Sequence, residues 1–148
     1  MGCTVSVMTP HHIAEALMLW QSTDGIGLDN RCDSWRGLEA YLDGHRGYSR
    51  VALDSGGRLV GAALCGTDGR RGYLHHVAVS REHRGEGLGR ALVESCLNRL
   101  ASAGVDKCSV FVFAANATGR RFWERLGWIE RPDLVIMQKS TLREVCTT

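Results

Sequence analysis

The stretch Val77-Ala78-Val79-Ser80-Arg81-Glu82-His83-Arg84-Gly85-Glu86-Gly87-Leu88-Gly89-Arg90 carries the clearest chemistry in the chain. An apolar strand pattern runs into a turn with alternating glycines, and a helical pattern follows at once. Glycine permits a positive φ and removes side chains that would stand in front of a ligand. Successive backbone N–H groups in such a turn converge on an anion, and the positive end of the following helix adds to their pull. A diphosphate is the natural guest, with Arg84 and Arg90 supplying charge. No Gly-Lys-Ser/Thr occurs, so the Walker pattern is absent. The dinucleotide fingerprint also fails, because Leu92 stands where its third glycine belongs. A glycine-rich turn without any ligand is the plain alternative.

Upstream lies Tyr73-Leu74-His75-His76, with three groups able to exchange protons. Strand alternation places Tyr73, His75, Val77 and Val79 on one face and Leu74, His76 and Ala78 on the other. His76 is therefore expected beneath the sheet, and His83 in a loop. Downstream, Asn116 precedes a helical pattern and suits its N-cap. Asn116-Ala117-Thr118 also fits the glycosylation sequon, but no basic segment followed by an apolar run opens the chain, so no secretory leader is expected. Met1-Gly2-Cys3 opens a myristoylation-like pattern, yet Val5 and Val7 alternate with polar residues as a first strand does.

The elements that must position these groups follow from period and punctuation. Pro10 opens a helix over 10–22, with Ile13, Leu17, Met18 and Trp20 as its apolar side. Asp24 to Asn30 is a loop. Ser34 caps a second helix, Trp35 to His45, with Leu38 and Leu42 inward. Arg50–Leu53 and Leu59–Cys65 form a hairpin around Asp54-Ser55-Gly56-Gly57. After the turn-rich segment Gly66 to Gly72 come a strand over Tyr73–Val79 and an amphipathic helix over Leu88–Ala103, closed by Gly104. A strand over Cys108–Phe113, a helix over Thr118–Leu126 stopped by Gly127, and a last strand over Val135–Lys139 complete the order. That order describes an α/β layered structure with a mixed sheet.

At 148 residues, with 44% hydrophobic and 23% charged, the chain reads as one globular domain over 1–148. The net charge of +2, from 18 basic and 16 acidic residues, argues against nucleic acid or an anionic membrane as the main partner. No apolar run reaches the ~18 residues of a membrane-spanning helix. Six cysteines (3, 32, 65, 96, 108 and 146) lack zinc-like spacing and read as reduced thiols in the cytoplasm, with no metal expected.

Arg84-Gly85-Glu86-Gly87-Leu88-Gly89 resembles the Arg/Gln-x-x-Gly-x-Gly/Ala motif of the GNAT superfamily, the acyl-CoA-dependent N-acetyltransferases. Tyr73 to Val79 looks like that family's splayed strand. Asn116 with Phe122-Trp123-Glu124-Arg125-Leu126-Gly127-Trp128 resembles its Asn…Phe-Tyr-Glu-Lys-x-Gly-Phe block. The likeness spans about residues 50–130. The Gly66–Gly72 loop is similar to that of small bacterial members.

The resemblance implies a single-domain fold: a mixed, mostly antiparallel central sheet with a splayed strand and about four flanking helices. It implies acetyl-CoA as co-substrate. Backbone of Val77, Ala78 and Val79 would pair with the pantetheine, and an N–H there would polarise the thioester carbonyl. The loop Arg84, Gly85, Glu86, Gly87, Leu88, Gly89 and Arg90 would take the pyrophosphate, and Asn116 the pantetheine. Trp123 would pack on the cofactor, and it stands where the family places an acid tyrosine. Indole is not a useful proton source, so water or Tyr73 must serve.

The implied chemistry is direct attack by an amine, which must be neutral although a lysine has a pKa of ~10.4. A base is needed, and His75, with an ordinary pKa of ~6.5, is the candidate. A hydrogen-bonded sheet histidine is its alternative reading. Acidic and aromatic residues Trp20, Asp24, Asp29, Asn30, Asp33 and Trp35 suit a cationic acceptor, a small amine or a protein amine. Phe111 stands where amino-terminal acetyltransferases often have Glu. A non-catalytic acyl-CoA-binding module is the alternative function, and a homodimer the expected assembly.

Overall fold

The computed structural model describes residues 2–142. Its strands are β1 (Thr4–Val7), β2 (Arg50–Leu53), β3 (Leu59–Thr67), β4 (Gly72–Val79) and β5 (Cys108–Val110). Its helices are α1 (Ile13–Gln21), α2 (Trp35–Gly44), α3 (Leu88–Ser102) and α4 (Ala117–Arg125), with single 3-10 turns at Pro10–His12 and Arg81–His83. The sheet runs in chain order, β1-β2-β3-β4-β5. All neighbours are antiparallel except β4 and β5, which are parallel. The expected mixed α/β fold with four helices is what forms.

Local chemistry sets the ends of these elements. Ser34 Oγ accepts the N–H of Gly37 at 3.0 Å and starts α2. Gly104, at φ +82°, stops α3, and Gly127, at φ +88°, stops α4.

β3 is buried on both sides from Val60 to Gly66, and its alternate residues divide the core by faces. Ala62 and Leu64 join Ile13, Trp20, Leu38 and Leu42 beneath α1 and α2. Ala63 and Cys65 join Leu92, Cys96, Leu100 and Trp123 beneath α3 and α4. Met18, expected inward, is exposed; Ala16 takes the inward position on α1.

Two strand expectations change. β5 spans Cys108–Val110 rather than Cys108–Phe113, because its pairing with β4 stops at Leu74 opposite Val110. The strand expected over Val135–Lys139 does not form, and Val135 and Met137 are exposed. An apolar run becomes a strand only beside a partner that satisfies its backbone groups. Among the described residues none pairs with it.

Candidate functional site

β4 is irregular in its middle. Ala62 pairs with Ala78 and Leu64 with His75, so Ala63 alone stands opposite both His76 and Val77. This is a β-bulge. His76 absorbs it at φ +55°, the one non-glycine residue with positive φ among those described. A left-handed conformation costs such a residue about 1–2 kcal/mol. Past Leu74, β5 no longer accompanies β4. The edge of β4 from His75 to Val79 is thus open on the β5 side, while Ala78 and Val79 still pair with β3.

The open edge leads into the glycine loop. Gly85 and Gly87 have φ of +81° and +80°, and a Cβ built on either meets nothing within 4 Å. Gly87 is the N-cap of α3, whose first N–H groups have no partner within the helix. Arg84 donates from Nε to the Val79 carbonyl at 3.1 Å, which ties the loop to the strand end. Arg90 and Glu86 are exposed and Leu88 is buried. Gly89 has another role: a Cβ there would lie 2.9 Å from Cε1 of Phe122, so its smallness lets α3 and α4 approach.

The bulge overturns the expected facing of the histidines. Tyr73 and His75 stack on Phe111, with ring centroids 6.2 and 6.1 Å apart, and His75 meets Tyr41 of α2 edge-on. His76 does not turn to the opposite face. Its Nε2 lies 2.9 Å from Oδ1 of Asp33, and its ring is 5.2 Å from that of Trp20 on α1. Both imidazoles therefore lie on the α1/α2 side, 6.4 Å apart. Ala78 stays on that side, whereas Val77 and Val79 pack toward α3.

The acceptor-side residues divide by task. Asp29 Oδ1 accepts the N–H groups of Arg31 and Cys32, and these bonds hold its carboxyl below the usual range. Trp20 is fully buried, while Asp24 and Trp35 are exposed. This loop also leans on the chain after β5. The position of a Gly25 Cβ lies against the Asn116 amide, and that of Gly27 lies 2.8 Å from Phe113. Asn116 caps α4, accepting the N–H of Gly119 at 3.0 Å. Trp123 lies in the core against Phe122 and Trp128, 9% exposed, so only its edge remains for a ligand. Periodicity concealed one contact. Asp33 and His76 meet only through the bulge, for which positive φ at a histidine leaves no sequence signal.

Burial pushes the imidazole pKa of His75 down; nearby His76 acts the same way and Asp33 opposes. The unfolded chain then takes up the proton more readily, so this group's stabilisation is fully present above an unfolded pKa of ~6.5 and is lost as pH falls toward the folded value. Urea midpoints should drop between roughly pH 7.5 and pH 5.5. The His75→Gln variant should show a shallower slope, with His12, also lowered by burial, carrying part of the remainder. An unchanged slope would place the effect elsewhere.

The family model described as the acetyltransferase (GNAT) family matches residues 14–128. Mycothiol acetyltransferase of Thermobispora bispora is 43% identical over 63 residues, which are 43% of this chain and 21% of that protein. The chain thus spans about a fifth of that relative's length. Ard1 from Thermoplasma volcanium has a similar fold, with a TM-score of 0.76 at 16% identity, over 87% of this chain and 84% of that one. The PaiA N-acetyltransferase from Thermoplasma acidophilum, solved in complex with coenzyme A, has a TM-score of 0.75 at 13% identity, over 84% and 88%.

Proposed function

The chain belongs to the GNAT family of acetyltransferases, and from that premise we propose that it moves an acetyl group from acetyl-CoA to an amine nitrogen by direct attack in a ternary complex. One observation carries the reading: the unpaired edge of β4 runs straight into a loop where Gly85 and Gly87 leave the N-terminus of α3 open. An open strand edge takes an extended ligand as an added strand, and a bared helix N-terminus takes an anion. Pantetheine carries amide groups and CoA a pyrophosphate, so the two features match two parts of one molecule.

In this reading Val77, Ala78 and Val79 hold the pantetheine, with the Arg84–Arg90 loop at the pyrophosphate. Asn116 and the edge of Trp123 flank the arm. The amine nitrogen bonds the acetyl carbon, the C–S bond breaks, and CoA leaves as a thiolate. A thiol pKa of ~8.5 makes that departure easy near neutrality. Tyr73 or water returns its proton. The amine's own proton passes to an imidazole of β4: His75 is the residue the sequence points to, and His76 stands 6.4 Å from it. The acceptor is a small amine or a protein amine, and we place the reaction in the cytoplasm of a bacterium. Among the described residues no helix is long and apolar enough to cross a membrane.

The burial of Trp123 favours one other reading, an acyl-CoA-binding module without turnover. Both readings require CoA binding. They part on free-thiol release from acetyl-CoA over a panel of aminoglycosides, polyamines, amino acids and lysine peptides. Release that depends on one amine class is the expected result. CoA binding with no release from any amine would overturn transfer and leave the binding module.

A further inference from the structure

Consecutive residues of a regular strand point to opposite faces, so neighbouring histidines do not share one. Here they do, and the backbone strain at His76 is what brings them together. Such strain persists only where its surroundings hold it, and it collects at functional sites. Asp33 does part of the holding. Its Oδ1 meets Nε2 of His76 at 2.9 Å, and its Oδ2 accepts the backbone N–H of Asp29 at 2.7 Å.

An ionised carboxylate only accepts hydrogen bonds, so the shared proton sits on Nε2. The lone pair of a neutral His76 is then on Nδ1. The His76 and Asp33 side chains are 16% and 8% exposed, so the pair is sheltered, with the imidazole the more accessible member. Trp20 packs against the imidazole, and its buried indole N–H has no partner.

We propose that Asp33 and His76 form a proton-accepting dyad, in which Nδ1 of His76 takes the proton released by the acceptor amine and Asp33 positions the ring. The proposal rests on the acetyl transfer proposed above. As the N–C bond forms and the C–S bond breaks, the amine proton ends on His76. The imidazolium then faces the Asp33 carboxylate, and His76 later returns its proton to water. The charged and titratable groups around it are few: from the loop Asp33, with Asp29 behind it and the Cys32 thiol beside both, and from β4 His75, itself against Tyr41 of α2. From α1 comes Trp20, which packs on the imidazole and shares an apolar cluster with Ala62 and Leu64 of β3. Asp33 precedes α2, so the dyad also ties the acceptor-side loop to the splayed strand.

The test uses one amine that turns over and compares His76→Asn, Asp33→Asn, the double variant and His75→Gln. Asparagine tolerates left-handed backbone, so His76→Asn should fold; a thermal melt checks it. His76→Asn should lower kcat by roughly 10²-fold or more, with CoA affinity nearly unchanged. It should also remove the acidic limb of the kcat/KM profile. Asp33→Asn should lose a similar factor, because an amide N–H facing Nε2 favours the other tautomer. The double variant should be no worse than His76→Asn, as for groups that act as a unit. His75→Gln should keep the limb. Nitrogen NMR of the histidines gives a readout without turnover: the His76 proton on Nε2 in the wild type, displaced in Asp33→Asn. A folded His76→Asn with wild-type kcat and an intact limb overturns the dyad while transfer stands, as does a wild-type proton on Nδ1. A wild type that binds CoA and releases thiol with no amine overturns transfer, and the dyad's task with it.

Discussion

Gly87→Glu should abolish CoA binding and leave the protein folded. The position sits at φ +80°, caps α3, and has open space where a side chain would begin. A glutamate there adds strain of about 1–2 kcal/mol and displaces no neighbour. A protein of ordinary stability survives that. The ligand does not, because a carboxylate would stand among the N–H groups proposed to face the pyrophosphate. We expect affinity to fall by roughly 100-fold or more, about 2.7 kcal/mol or more. Calorimetric titration of CoA into Gly87→Glu measures it, with Gly87→Asn as the control that accepts the backbone without the charge. Tight binding by a folded Gly87→Glu protein would move the phosphates elsewhere. Gly89→Ala should act differently, since its methyl group meets Phe122 and so acts on α3–α4 packing first.

Trp20→Ala should be the most damaging single substitution in the α1/α2-side core. Trp20 heads the fully buried side chains, and it is the floor on which His76 rests. Truncating a buried aromatic to alanine typically costs about 3–5 kcal/mol, the removed burial plus the cavity left behind. Against a total of roughly 5–15 kcal/mol, that moves the protein to the margin of folding. Trp20→Phe should cost far less. It keeps a ring, and the indole N–H it removes has no partner to lose. Urea unfolding of both variants gives the comparison. Equal and small losses would mean the core closes over the site without help from this side chain. Activity should fall with Trp20→Ala even at temperatures where it stays folded, because the His76 ring loses its support.

Much of this protein was legible in its residues. Ser34, Gly104 and Gly127 mark helix ends because capping and positive φ depend on residues a few positions apart. The glycine loop between β4 and α3 could be placed for the same reason, since strand, turn and helix signals lie side by side. Resemblance in three ordered blocks carried the fold and the acetyl-CoA expectation further than periodicity could.

What the chain alone did not determine lies where distant segments meet. The run Val135–Lys139 has strand residues, but a strand is a relation to a neighbour, and β5 ends at Val110. Trp123 occupies a family position by sequence and a core position by packing, held there by Trp128. The two histidines show the limit most clearly. Alternation assigns His76 to the far face, and that rule holds only while two strands advance in step. Ala63 stands opposite two residues of β4, so the register slips by one and both imidazoles reach the same side. Asp33, separated from His76 by 43 positions, then closes the pair. Local propensity specifies each strand's residues; only tertiary pairing decides which face they serve, because register is a property of two strands together.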